Sequence, residues 1–185
     1  MSRYKNGNIP KSALKAIDTG QLLEENAANA FMKMKKAAAL DGVTLKLAGN
    51  YSAYRPCGEI GDYKARDCNT GFTQWCAWEK YKAGKGNLAA NPTKSSGCRS
   101  NHGWGIAVDI SGSKAKKWIR DNGEKYGWWW GEAPSEDWHF TYDVNRDTTK
   151  SRGSTKSKTK ILPYILMGMF VMAFSYGLYR ATRPR

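Results

Sequence analysis

Histidine is scarce in this chain: two residues, His102 and His139, among 185. Cysteine is sparse too, and Cys57, Cys68, Cys76 and Cys98 form no CxxC pair, which argues against a structural metal knuckle. There is no glycine-rich phosphate loop and no repeating strand–helix–strand alternation, which argues against a doubly wound nucleotide-binding fold. The N-terminal stretch MSRYKNGNIPKSALKAID has no apolar run, so no cleavable secretory signal is expected from it. Acidic residues are missing altogether from residues 148–185.

That last absence governs the charge. The chain carries a formal +14, but eight of its Lys and Arg lie in the acid-free segment 148–185, so residues 1–147 carry only +6. A mildly basic body suits an anionic partner such as a cell-wall polymer, a membrane surface or nucleic acid, without choosing among them. Eight Trp, ten Tyr and five Phe supply large surfaces to bury, as a folded protein requires. The length suits one domain with an appendage. All four cysteines fall within residues 57–98, a loop-rich region that one or two disulfides could staple. Spacing alone leaves open whether they pair or stay reduced.

Along the body, Ser12 can cap a short helix reaching Asp18. A longer helix is predicted over 21–40, with Leu23, Ala27, Ala30, Phe31, Met34 and Ala38 on one face and Gly42 to end it. VTLKLAG, residues 43–49, alternates and reads as a strand leading into YSAYRP. Residues 72–84 suit a helix, and 91–103 a loop. GIAVDIS, residues 105–111, reads as a strand, residues 113–126 as a helix, and WHFTYDV, residues 138–144, as a final strand. Helices and strands mixed in this way indicate an α+β fold. The Trp128–Trp130 run suits either a cleft wall or a part-core, part-exposed loop.

From Thr148 the composition changes. TTKSRGSTKSKTK, residues 148–160, reads as a basic, solvated linker. Residues 161–179 carry no charged side chain and, at about 1.5 Å per residue, are just long enough to cross a bilayer core of about 30 Å. The expected organisation is a folded domain over 1–147, a linker over 148–160, a transmembrane helix over 161–179 in contact with the lipid bilayer, and a basic tail over 180–185. The chain is thereby expected to be membrane-anchored.

The two histidines carry the chemistry. In GIAVDIS one strand face holds Ile106, Val108 and Ile110, while the other holds Gly105, Ala107 and Asp109. Two nearly side-chain-free positions followed by a carboxylate suggest that something sits above them and is gripped by Asp109. His102 lies in the loop entering that strand. In the last strand Trp138, Phe140 and Tyr142 are expected in the core, leaving His139 and Thr141 opposite. Singly, each of these polar residues is most simply a hydrogen-bonded surface or core group. Together, two imidazoles and one carboxylate make a three-ligand set of the kind that suits zinc, with the fourth position left for water. Glu136 falls in the turn after Pro134, within reach of that water as a general base.

Ser100, His102, Gly105, Ala107 and Asp109 fit S-x-H-x-x-G-x-A-x-D, and Glu136, Trp138 and His139 fit E-x-W-H. These paired motifs resemble those of the zinc D-Ala-D-Ala carboxypeptidase/L-Ala-D-Glu endopeptidase family, which includes VanY-like enzymes and many phage endolysins. Ser52, Tyr54 and Arg55 also fit that family's S-x-Y-R element, and the similarity runs in order over residues 10–145. The resemblance implies a small antiparallel sheet flanked by helices, as in D-Ala-D-Ala peptidases and hedgehog proteins. It implies one Zn2+ held by His102, Asp109 and His139, with Glu136 as catalytic base. It also implies that Arg55 stabilises an oxyanion or anchors a substrate carboxylate, and that Ser100 and Tyr54 help bind substrate. The expected activity is hydrolysis of peptide bonds in peptidoglycan stem peptides, in phage lysis or a virion-associated wall-degrading step, at a virion membrane or host inner membrane. A non-catalytic, zinc-containing wall-binding module is the rival, and the intact Glu136 argues against it. No specific nucleic-acid partner is expected. Asp137 departs from the family, which often has proline there.

Overall fold

Helix α1, Glu25–Leu40, is the element on which the rest of the core packs. Its three- and four-residue spacing buries Ala27, Ala30, Phe31, Met34 and Ala38 on one face and leaves Lys33 and Lys36 on the other. It starts later than its apolar periodicity predicts. Leu22–Leu23 forms strand β2, antiparallel to β1, Lys15–Ala16, and Glu24 caps the helix by accepting from the backbone N–H of Asn26 and Ala27. Gln21 is held away from helical geometry, because its side-chain oxygen accepts from Ala53 N at 3.0 Å. The short helix expected from Ser12 is a 3-10 turn, Lys11–Ala13, that feeds β1.

The computed structural model describes residues 3–58, 73–87, 89–92 and 98–150. Among them the principal sheet has four antiparallel strands in the order β3-β4-β6-β5: β3 is Lys46–Leu47, β4 Ala107–Ser111, β5 Tyr126–Trp129 and β6 His139–Asp147. Helix α2 is Gln74–Lys82 and α3 is Ser113–Asn122. Val108, Ile110, Phe140 and Tyr142 project from one sheet face into the core with Phe31 and Met34 of α1 and Trp118 and Ile119 of α3. Phe31 meets Trp128 edge-on at 5.7 Å between ring centroids.

Strand β5 was not expected. The helix predicted to reach Tyr126 ends at Asn122, a 3-10 turn covers Gly123–Lys125, and Tyr126 opens the strand. YGWW has no alternation to betray a strand because Gly127 is a bulge, at φ +80°, where a Cβ would lie 2.6 Å from the Tyr142 ring. The α+β architecture with a small antiparallel sheet therefore stands.

The cysteines do pair. Cys57 and Cys98 form a disulfide with their Cα atoms 5.9 Å apart, and Cys76 is disulfide-bonded as well.

The expected transmembrane helix, and the membrane-anchored location drawn from it, need correction. Among the described residues no helix is long and apolar enough to cross a membrane. The longest of them, α1, has 16 residues and is amphipathic. The apolar run 161–179 and most of the basic linker lie outside the described residues.

Candidate metal centre

The β4–β6 register sets the site. Asp109 stands directly opposite His139 and Ala107 opposite Thr141, so these four side chains share the sheet face turned away from the core. The pair Val108 and Phe140 lies between them in register and faces inward. His102 arrives from a 3-10 turn, Asn101–Trp104, that Gly105 ends at φ +69°. A Cβ on Gly105 would lie 2.7 Å from the Glu24 backbone nitrogen. Gly105 is therefore demanded by the turn and by contact with the β2–α1 junction, and not by open space beneath a metal, as the sequence suggested.

Two ring nitrogens converge on one carboxylate oxygen. His102 Nε2 lies 3.2 Å from Asp109 Oδ1, and His139 Nδ1 lies 3.1 Å from the same atom. The imidazole centroids are 5.0 Å apart. This is the one group of three His, Cys, Asp or Glu among the described residues whose ligand atoms all lie within 4.8 Å of one another. Arg55 Nη2 reaches the other carboxylate oxygen of Asp109 at 3.4 Å.

The segment YSAYR supports the centre mainly through its backbone. The Ser52 carbonyl accepts from Asp109 N at 2.8 Å, and Ala48 N donates to the Asp109 carbonyl at 2.9 Å. Arg55 N donates to the His102 carbonyl at 3.1 Å. The Ala53 carbonyl lies 2.8 Å from His102 Nδ1. Tyr54, expected to touch substrate, is buried, and its hydroxyl is engaged by Ile9 N at 2.9 Å and the Ile9 carbonyl at 3.3 Å. It is not among the described residues that line the cleft.

Charge follows from burial and neighbours. Burial pushes His102 down, towards the neutral ring that can ligate a metal. Burial works against the charge on Asp109, yet the neighbouring His102 and His139 rings and the Arg55 guanidinium together hold its carboxyl well below the usual range. With Nδ1 donating to the Ala53 carbonyl, a neutral His102 points the Nε2 lone pair at a carboxylate. Such a meeting of electron pairs is relieved by a cation between them. The donor set of two imidazoles and one carboxylate therefore fits a metal of the zinc type.

An open cleft of about 480 Å3 lies over the centre, lined by Arg55, Ser100, His102, Asp109, Glu136 and His139 among others. Ser100, Arg55 and Glu136 are thus gathered where the sequence placed them. Trp138 lines this cleft as well, so it departs from the expected core position. The Trp128–Trp130 run does not: Trp128 is fully buried in the core and Trp130 is exposed.

Glu136 is half-buried, and burial raises its carboxyl above the ordinary glutamate value. Its turn is pinned from several sides. Glu136 N donates to the Ala133 carbonyl at 2.9 Å and His139 N to the Glu136 carbonyl at 3.1 Å. Trp130 Nε1 donates to that same carbonyl at 3.1 Å. Asp137, the departure from the family pattern, is paired with Lys116 of α3, while Arg120 donates to its carbonyl at 3.0 Å.

Sequence reasoning missed Gln74, Asn101 and Glu132, all of which line the cleft. Gln74 accepts from Arg55 Nη1 at 3.3 Å and donates to the Ala90 carbonyl at 2.8 Å. Its signal was a polar residue at the start of an aromatic helix, where it is fully buried.

No protein-family model matches the chain, and no curated protein matches it. Solved structures do. LdcB, an LD-carboxypeptidase whose structure reveals the molecular basis of peptidoglycan recognition, is 22% identical, with a TM-score of 0.50 over 74% of this chain and 70% of that one. The chain has the fold of LdcB. A VanY D,D-pentapeptidase variant from a VanB-type vancomycin resistance cassette, in complex with Zn(II), is 20% identical, with a TM-score of 0.48 over 72% of this chain and 82% of that one. VanYB in complex with D-alanine-D-alanine is 20% identical, with a TM-score of 0.47 over 70% and 76%.

Proposed function

We propose that this chain is a zinc-dependent peptidase that hydrolyses peptide bonds in peptidoglycan stem peptides, of the D,D-carboxypeptidase or L-Ala-D-Glu endopeptidase type. The observation that carries the reading is the convergence of His102 Nε2 and His139 Nδ1 on Asp109 Oδ1, at 3.2 and 3.1 Å, beneath a cleft that also holds Glu136 and Arg55. The fold it shares with LdcB and the paired motifs agree with it. The setting implied by the motifs is phage lysis or a virion-associated opening of the wall.

His102, Asp109 and His139 would hold the zinc. A zinc ion there supplies Lewis acidity, acidifying water and polarising the scissile carbonyl. Glu136 takes the proton from the attacking water, for which a raised carboxyl is well matched, and returns it to the leaving amine. Arg55, charged and partly buried on the cleft wall, faces the negative charge that develops on the carbonyl oxygen. Ser100 lines the same wall and can take a hydrogen bond from, or give one to, the substrate backbone. A wall-binding module without turnover would have no use for a half-buried glutamate in that position.

The test is mass spectrometry of purified peptidoglycan digested with the protein, with and without chelator. Zinc-dependent release of D-alanine or of cleaved stem peptides is expected, and the product mass tells the two bond types apart. Intact stem peptides in the zinc-loaded digest would refute the proposal.

A further inference from the structure

Behind His139 lies a short chain of polar groups that the proposed reaction does not use. Thr141 is buried at 6% exposure, two residues along β6 from His139 on the same face. Its Oγ1 lies 2.6 Å from Glu132 Oε2 and 3.3 Å from His139 Nε2. A hydroxyl has one proton to give. The shorter contact and the charged acceptor both assign that proton to Glu132. The hydroxyl oxygen is then left to accept, and the partner within reach is an N–H at His139 Nε2. A neutral ring protonated at Nε2 carries its lone pair on Nδ1, the nitrogen facing Asp109.

Glu132 reaches the other half of the site as well. Asn101 Nδ2 donates to the same Oε2, and Asn101 opens the turn that carries His102. One carboxylate therefore ties the two elements bearing the histidines.

We propose that Glu132, acting through the Thr141 hydroxyl, is a positioning residue that sets the tautomer and orientation of His139 so that Nδ1 faces the metal. The proposal rests on the zinc reading above, and it concerns groups that are not themselves ligands. Partners of this kind typically contribute about 10- to 100-fold in metal affinity.

The experiment uses the full chain loaded with zinc, and Thr141→Val, Thr141→Ser and Glu132→Ala variants. Zinc affinity is measured by competition with a chromogenic chelator. Ring N–H protons are followed in 15N-histidine-labelled protein, where two histidines give two rings to observe. Wild type is expected to show two solvent-protected ring protons, Nδ1–H of His102 on the Ala53 carbonyl and Nε2–H of His139 on Thr141. Thr141→Val should lose the His139 proton, keep that of His102 as evidence of an intact fold, and bind zinc about 10- to 100-fold more weakly. Glu132→Ala should weaken zinc in the same direction, and Thr141→Ser should restore both readouts. Unchanged affinity and an unchanged His139 ring proton in Thr141→Val and Glu132→Ala would overturn the relay alone. A wild-type chain that takes up no zinc would overturn the reading beneath it, and the relay with it.

Discussion

Asp109 Oδ1 lies 3.1 Å from Nδ1 of His139, the residue directly opposite it across the β4–β6 ladder. The ladder fixes this meeting through backbone hydrogen bonds. A cation that binds such a site stabilises the fold by mass action. At a free concentration about 100 times its dissociation constant the gain is about 2.7 kcal/mol, or roughly 5–10 °C in melting temperature for a domain of this size. Calorimetry with added zinc should show the rise, and chelator should abolish it. Magnesium should do neither, since it prefers oxygen ligands. Asp109→Ala should remove the zinc effect.

Glu136 and His139 are three residues apart and should fail differently. Glu136 belongs to no ligand set, so Glu136→Ala is expected to retain zinc and to lose about 100- to 10,000-fold in turnover. His139→Ala should lose both zinc and activity. Metal content by atomic absorption, alongside digestion of purified peptidoglycan, separates the two. Wild-type turnover in Glu136→Ala would remove it from the role of base.

Among the described residues, the Arg55 guanidinium reaches Gln74 Oε1, the Tyr51 carbonyl and Asp109 Oδ2 at once, at 3.2–3.4 Å. A lysine ammonium cannot reproduce that planar fork. Arg55→Lys should therefore keep the charge and still lose turnover. Loss of a preorganised oxyanion partner is worth about 100- to 1,000-fold. Steady-state kinetics on a soluble stem peptide should place most of that loss in kcat. An effect confined to KM would assign Arg55 to substrate anchoring alone.

The grouping of His102, Asp109 and His139 was legible in the sequence for a physical reason. Strand alternation alone places Asp109 and His139 on one face, and two histidines in the whole chain leave few other pairings. What sequence could not show was support delivered by backbone. Ser52 and Ala53 act through carbonyl oxygens, which any residue possesses. The bonds from the Tyr54 hydroxyl to Ile9 were likewise hidden, because a motif position says nothing about where a hydroxyl goes. Trp138 was placed in the core by extending the strand's alternation one residue too far, since β6 begins at His139. Glu132 was missed because its role depends on Thr141 and Asn101, which approach it from separate elements.

The Glu136 turn is braced from α3. Asp137 pairs with Lys116 and its carbonyl accepts from Arg120, whose guanidinium stacks 4.7 Å from the Trp130 ring centroid. Half-exposed ion pairs of this kind are worth about 0–1 kcal/mol in stability. Asp137→Ala is thus expected to leave the melting temperature nearly unchanged while lowering kcat several-fold, because the brace sets where the base stands. Trp130→Phe, which removes the N–H on the Glu136 carbonyl, should act in the same direction. Both variants should bind zinc as wild type does. A fall in melting temperature that accounts for the lost activity would make the brace merely structural.

The Cys57–Cys98 disulfide joins the two loops that deliver site residues: Cys57 follows Arg55 by two positions and Cys98 precedes Ser100 by two. Backbone bonds run beside it, from Gly7 N to the Gly103 carbonyl at 2.7 Å and from Cys57 N to the Gly7 carbonyl at 2.8 Å. Closing a loop between positions 41 apart restricts the unfolded chain by about 4 kcal/mol. The double variant Cys57→Ser, Cys98→Ser should melt roughly 8–15 °C lower than the oxidised protein. Because the cross-link joins the segments bearing Arg55 and Ser100, turnover should fall below the melting transition as well, when these segments lose their common anchor. Matched melting curves and activity-against-temperature profiles of the two proteins test this. Superimposable profiles would mean that the backbone bonds through Gly7 hold the site unaided.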